Sequence, residues 1–286
     1  MRLSELGELR LLAELERRGL ARGIEHDAAQ LPGGLVVTQD ALVEGVHFHL
    51  DWTTHRELGY KAAAVNLSDL AASGALPEAL LVTLGAPEDA ELGDVLELYE
   101  GLNEPGVPVV GGDTTRAPQL MVSVTALGRS QRVPGRAGAR PGDLVVVTGP
   151  LGAAGAAFRE HRHARPPLRL EEGRRLAASA HALTDISDGL AVSSAHLAAL
   201  SRCRIEIELE RVPLAPGATV EDLSFGEDYE LLAATLDGLG FPAIGRCHEG
   251  DGVEIRIAGE PVLMSGWDTF GGPGPGTCAD PRERRA

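Results

Sequence analysis

Short apolar runs of strand length alternate along this chain with longer segments of helical periodicity, which limits it to a mixed α/β (α+β) architecture. LVVTQD (35–40), ALLVTLGAP (79–87), VPVVGGDTT (107–115) and LMVSVTALG (120–128) read as strands. Helical spacing appears over 3–20, 58–73 and 88–102, with Gly74 and Pro77 closing the second of these. The segment 129–142 is rich in Gly, Pro and Arg and carries almost nothing apolar, so it reads as a domain boundary. Beyond it the pattern restarts: DLVVVTG as strand and turn, a helix over 171–180, and ALTDISDGL as a short strand, an acidic turn and a helix reaching Leu200. Further strands are expected at 204–209 and near Ala243 and Glu254. The division expected is an amino-terminal domain over 1–135, a carboxy-terminal α/β domain over 136–270, and a tail over 271–286 with the composition of disorder.

No run approaches the roughly 18–20 apolar residues a membrane span requires. The opening stretch mixes charge through its apolar positions, unlike a signal peptide, so the expected compartment is the cytoplasm with no membrane partner. A formal net charge of -16 argues against nucleic acid, which needs a basic footprint. Lys61 is the only lysine, which excludes both the P-loop and the V-A-I-K lysine of protein kinases. Cys203, Cys247 and Cys278 are scattered, as suits isolated thiols rather than a disulfide framework or a zinc site.

The chemistry resides in the aspartates. Asp40, Asp113 and the pair Asp185 and Asp188 are expected where apolar strands exit into turns, the place where open α/β folds bind ligands. Taken singly, each is more often a helix cap or turn former. Their recurrence, and the double glycine Gly111-Gly112 before Asp113, point instead to backbone lying close to a phosphate. Asn66 and Asp69 share one face of an alanine-rich helix, a setting that implies burial. Buried carboxylates are costly unless paired or bound to metal, and with one lysine available the cation expected is Mg2+. Such sites support phosphoryl transfer. The turn TGPLG (148–152) could cradle phosphate, although glycine-rich turns of this kind are common. His161-Arg162-His163 reads as a solvated loop.

Seven motifs in order then resemble one family. DALVEGVHF (40–48), KAAAVNLSDLAASGALP (61–77), VGGDTTR (110–116), RPGDLVVVTGPLG (140–152), TDISDGL (184–190), GEDYELL (226–232) and GWDTF (266–270) are similar to those of thiamine-monophosphate kinases. The resemblance covers almost the whole chain. It implies the two-domain fold shared with aminoimidazole-ribonucleotide synthetase, a homodimer joined through its amino-terminal sheets, and direct in-line transfer of the ATP γ-phosphate onto thiamine monophosphate with several Mg2+ ions. It also implies roles. Asp27, Thr38, Asp40, Asp69, Asp113, Asp185 and Asp188 would form the metal shell. Gly112, Asp113, Arg136 and Ser187 would contact ATP, and His47, Glu227 and Trp267 would hold the thiamine phosphate.

The chain departs from the family pattern in three places. Glu25-His26-Asp27 stands for Gly-Asp-Asp, Gln39 replaces a small hydroxyl residue, and Phe225 replaces a glycine. Two other readings stay open. A selenophosphate synthetase would carry a reactive Cys near the amino terminus, and none precedes Cys203. A paralogue that binds nucleotide without turnover would draw on His26 and Phe225.

Overall fold

The computed structural model describes residues 2–22, 26–267 and 270, and in it the apolar runs form two sheets. The amino-terminal helix divides at Gly7, whose φ of 75° interrupts helical backbone, into α1 (Leu3–Leu6) and α2 (Glu8–Arg17). The first sheet holds β1 (Ala29–Leu31), β2 (Leu35–Val43), β3 (Leu76–Ala86), β4 (Val109–Arg116) and β5 (Met121–Arg129), in the order β1-β2-β5-β3-β4. Its neighbours are antiparallel except β3 and β4, which run parallel because a helix crosses between them. The helices of this half are α3 (His55–Ala72) and α4 (Leu92–Asn103).

Past residue 143 the second sheet contains β6 (Leu144–Val147), β7 (Ala182–Asp185), β8 (Arg204–Glu208), β9 (Leu231–Thr235), β10 (Ala243–His248), β11 (Gly252–Ile257) and β12 (Glu260–Val262). Their order is β12-β11-β8-β10-β6-β9-β7, with α5 (Ala153–Arg159), α6 (Leu170–Ser179) and α7 (Leu190–Ser201) in the connections. Cys203 and Cys247 are free and buried here. Among the described residues no helix is long and apolar enough to cross a membrane. The tail over 271–286 lies outside the described residues.

The central element is α3. Thr54 caps it, accepting a hydrogen bond from the Glu57 amide while the Glu57 carboxylate accepts one from the Thr54 amide at 2.9 Å. Such a reciprocal cap contributes about 1 kcal/mol. Alanines let neighbours approach α3 from every side: it packs on β2, β3 and β5 of the first sheet and on α6, β7 and β9 of the second. α4 lies closest. A Cβ on Gly59 would sit 1.9 Å from the Leu98 carbonyl oxygen, and one on Gly101 1.9 Å from that of Arg56. Leu58, Leu67, Leu80 and Val124 pack in the first core, and Val145, Ile186, Leu190 and Ile244 in the second. Ala71, Leu176, Leu183 and Leu231 form a third cluster from α3, α6, β7 and β9.

Two expectations need correction. Asp40 and Asp113 do not stand at strand exits: each lies within a strand, β2 and β4, and only Asp185 ends one. The Gly111-Gly112 pair is likewise no turn. It continues β4 after an irregularity at Val110, where Leu80 pairs with Val109 and Leu81 with Gly111. The backbone that comes close is the neighbouring strand, since a Cβ on Gly112 would lie 1.8 Å from the Val82 carbonyl oxygen, at a φ of 147° that disfavours side chains. Gly112→Ala is therefore expected to cost about 2–4 kcal/mol. Chemical denaturation measures this, and an unchanged midpoint would show that β4 can shift freely.

Candidate functional site

Because α3 beyond its first turn is largely buried, each polar group it carries there needs a partner, and those partners build the site. Asn66 Nδ2 donates to the Ala62 carbonyl at 2.9 Å, and its Oδ1 accepts the Asp40 amide at 3.0 Å. Ser68 Oγ donates to Asp185 Oδ2 at 2.6 Å. Asp69 accepts the Thr38 hydroxyl. Lys61 Nζ donates to both Glu227 oxygens, at 2.7 and 2.8 Å, and to the His47 carbonyl at 2.8 Å. One helix thus ties β2 of the first sheet to β7 and to the loop before β9 of the second.

Carboxylate oxygens of Asp27, Asp69 and Asp185 all lie within 4.8 Å of one another. Burial, reinforced by Asp40, Asp185 and Asp27, pushes Asp69 well above the usual carboxylate range. Burial and then Asp27 push Asp185 up to about 8, against the hydrogen bond from Ser68 and the charge of Arg136. Asp40 rises to about 6, again through burial first and Asp27 second. Arg136 offsets part of this charge by donating through its guanidinium to Asp27 Oδ1, which also accepts the Thr184 hydroxyl at 2.8 Å. One guanidinium cannot balance the gathered carboxylates once they ionise. The cluster offers hard oxygen donors without thiol or imidazole, the set that suits Mg2+.

The cluster opens on a cavity of about 280 Å³, lined by Asp40, Asp69, Asp185 and Asp188 as well as Trp52, Phe158, Phe225 and Trp267. His47, Lys61, Ser187 and Glu227 also face it. His47 Nδ1 accepts the Val43 amide at 3.0 Å, so a neutral ring carries its proton on Nε2. Burial holds His47 below the usual imidazole range, with Lys61 assisting and Glu227 opposing. The turn carrying Ser187 and Asp188 is clasped by backbone. The Glu227 amide donates to Ser187 O at 2.7 Å, the Tyr229 amide to Ile186 O at 2.9 Å, and the Trp267 amide to Asp188 O at 3.0 Å. Glu227 (φ 56°) and Tyr229 (φ 51°) adopt left-handed backbone without being glycine, a cost that the surrounding bonds must offset.

The structure thus brings together Asp27, Thr38, Asp40, Asp69, Arg136, Asp185, Ser187, Asp188, His47, Glu227 and Trp267. Gly112 and Asp113 stand apart, exposed on the edge strand β4. The GWDTF motif is described at Gly266, Trp267 and Phe270; Asp268 and Thr269 lie outside the described residues.

The TGPLG turn has most of its amides already engaged, which makes it a poor phosphate cradle. Thr148 N donates to Leu231 O at 3.1 Å, Leu151 N to Pro213 O at 2.8 Å and Gly152 N to Asp228 Oδ1 at 2.7 Å. The 161–163 run is no simple solvated loop either. His161 stacks on Trp52 at 5.0 Å, and His163 lines the cavity with a buried Nε2. Of the three departures, Gln39 points away from the site. Side chains alternate along β2, so Thr38 and Asp40 share the inner face while Gln39 reaches Ser123 and Thr125 on β5. His26 stays outside the three-carboxylate cluster, its Nδ1 buried without a hydrogen-bond partner among the described residues. Phe225 stacks on Phe158 at 5.0 Å and walls the cavity.

Sequence reasoning missed Lys61, Ser68, Thr184 and, apart from Trp267, the aromatic wall. The signal available was the charge and polarity within the alanine-rich helix, which held for Lys61 and Ser68 as much as for Asp69.

Residues 25–130 match the family model described as AIR synthase related protein, N-terminal domain, and residues 140–236 match its C-terminal domain counterpart. A thiamine-monophosphate kinase of Aquifex aeolicus is 34% identical over 94% of this chain and 100% of its own length. One of Mycobacterium tuberculosis (strain H37Rv) is 33% identical, covering 95% of this chain and 94% of the relative. Among solved structures, ThiL complexed with AMPPCP and TMP has a TM-score of 0.87 at 34% identity, covering 94% of this chain and 99% of that one.

Proposed function

The chain belongs to the thiamine-monophosphate kinases of the AIR synthase related family, and from that premise we propose that it transfers the γ-phosphate of ATP to thiamine monophosphate, giving thiamine diphosphate and ADP. One observation carries the reading from within the molecule: a single cavity joins carboxylates able to hold Mg2+ for phosphates with aromatic rings able to face a heterocycle. The ThiL complex with AMPPCP and TMP supports ATP as co-substrate and thiamine monophosphate as acceptor.

The roles follow from the chemistry of each group. Asp27, Asp69 and Asp185 would hold Mg2+, with Thr38, Asp40 and Asp188 beside them. Cations bound there would neutralise phosphate charge in a low-dielectric cleft. An acceptor phosphate oxygen bonds to the γ-phosphorus as the bond from that phosphorus to the β,γ-bridging oxygen breaks, and ADP carries away the electron pair. Arg136 donates to Asp27 and offers further donors to nucleotide phosphate. The Nε2–H of neutral His47 can donate to substrate phosphate without altering the charge of the site. Lys61 fixes Glu227, and Ser187, on the clasped turn, and Trp267, whose amide helps clasp it, stand where nucleotide and substrate would meet.

Gly112 and Asp113 are assigned to the nucleotide and metal on the motif alone. Exposed Val110 and Leu81 on β4 and β3 support a homodimer packed through that edge, which would change what Asp113 faces. The division into units over 1–135 and 136–270 and a cytoplasmic setting complete the reading.

Incubation of pure protein with ATP, Mg2+ and thiamine monophosphate, followed by chromatography, tests it. Thiamine diphosphate that disappears with chelator is expected. ATP consumption or binding without that product would move the chain to a sister activity.

A further inference from the structure

The segment from Phe158 to Ala164 links α5 to the loop before α6, and beyond the Phe158 ring the kinase reading gives it no part. Three aromatic contacts fix its inner side: Phe158 stacked on Phe225 at 5.0 Å and 28°, His161 stacked on Trp52 at 5.0 Å and 24°, and the Phe158 ring edge-on to Trp52 at 6.4 Å and 72°. Its far end is pinned to α3 and α4. Tyr60 Oη donates to the Pro166 carbonyl at 3.0 Å, the Arg165 guanidinium lies 3.3 Å from the centre of the Tyr60 ring, and Arg165 pairs with Glu104 at 2.7 Å. Between these anchors His163 faces the cavity, its Nε2 buried without a hydrogen-bond partner among the described residues.

A buried ring nitrogen without a partner costs free energy, which an occupant of the cavity can recover. That occupant must present flat faces to Phe158, Phe225 and Trp52 and a polar edge to His163. Burial and the Lys61 charge hold His163 below the usual imidazole range, while Glu57 and Glu227 oppose the shift. Neutral imidazole has one donor and one acceptor nitrogen, and an aminopyrimidine edge offers ring acceptors beside an amino donor. Phosphate already has partners assigned in His47, Arg136 and the metal-holding aspartates, which leaves His163 for the rest of the acceptor.

We propose that the segment from Phe158 to Ala164 clamps the aminopyrimidine ring of the acceptor, with His163 Nε2 as its specificity-determining contact. The assignment rests on the kinase reading and deepens it. Adenine also carries an aminopyrimidine edge, so the test separates the two substrates.

His163→Ala is expected to raise KM for thiamine monophosphate about tenfold, the cost of one hydrogen bond to a buried partner, with kcat within about twofold and KM for ATP unchanged. The preference for thiamine monophosphate over its analogue with oxygen in place of the pyrimidine amino group should fall by a similar factor. His163→Gln, which keeps a donor and an acceptor, should restore part of both and serves if the alanine variant does not fold. Unchanged KM and preference would overturn the assignment, as would a rise in KM for ATP alone. Calorimetric binding of thiamine monophosphate to the same variants reads His163 even if the wild type forms no thiamine diphosphate, a result that would count against the kinase reading alone.

Discussion

Asp185→Asn should lower thiamine diphosphate formation by about 10³-fold or more and, in chelator, make the protein more stable than the wild type near pH 8. Both effects come from one arrangement. Asp185 is 2% exposed and ends β7 beside Asp27 and Asp69. In the folded chain its carboxyl is pushed up to about 8, by burial first and by Asp27 second. In the unfolded chain it returns to the ordinary value near 3.8. The folded state therefore binds the proton more tightly, so metal-free wild type should lose stability as pH rises from about 4 to about 8. The penalty at the upper end is on the order of a few kcal/mol. Asparagine removes the charge, keeps the shape and can still accept from Ser68 Oγ. Thermal unfolding across that range should show a flatter pH profile for the variant and a higher Tm at pH 8. Added Mg2+ should stabilise the wild type and have less effect on the variant. Wild-type turnover in the variant would remove Asp185 from the metal set, and an equally steep pH profile would show that the cluster stores no repulsion.

The extent to which this site could be read from sequence follows from what local patterns encode. Strand-length apolar runs and helical periodicity depend on nearest neighbours, so β2, β3, α3, α4, β5 and the strand–turn–helix around Asp185 were legible, with ends displaced by a few residues. Asp69 was legible because a carboxylate within an alanine stripe has no solvated face. Asp40 was identified for the wrong reason: its strand continues three residues further, to Val43, and burial by α3 brings it to the site rather than a turn. Gly112 shows the same limit. Its lack of a side chain is required by Val82, a residue thirty positions earlier that becomes a neighbour only when β3 and β4 pair. His163 was least legible, since a polar loop gives no sign that the helix face carrying Tyr60 will hold it against the cavity.

Lys61 should prove as consequential as any aspartate, and its effect separates into stability and function. Its side chain is 7% exposed and that of Glu227 25%, and the two meet through both carboxylate oxygens across the junction of the two sheets. Lys61→Met keeps most of the packing but leaves Glu227 without its cation. Removing one partner of a buried pair costs about 3–5 kcal/mol, and the partial exposure of Glu227 places the expected loss near 3. Lys61→Met with Glu227→Gln should regain most of that loss, because the stranded charge is gone and the two residues act as one unit. Activity should not follow. Glu227 occupies left-handed backbone whose amide holds Ser187, and its carboxylate is assigned to the substrate, so the double variant should remain at least about 10²-fold down in kcat/KM. Urea denaturation of the two single variants and the double variant yields the coupling energy, and steady-state kinetics on the same proteins yields the functional cost. Additive stability losses would mean that the pair is no interaction in solution. Activity restored along with stability would make it a structural tie that takes no part in holding the substrate.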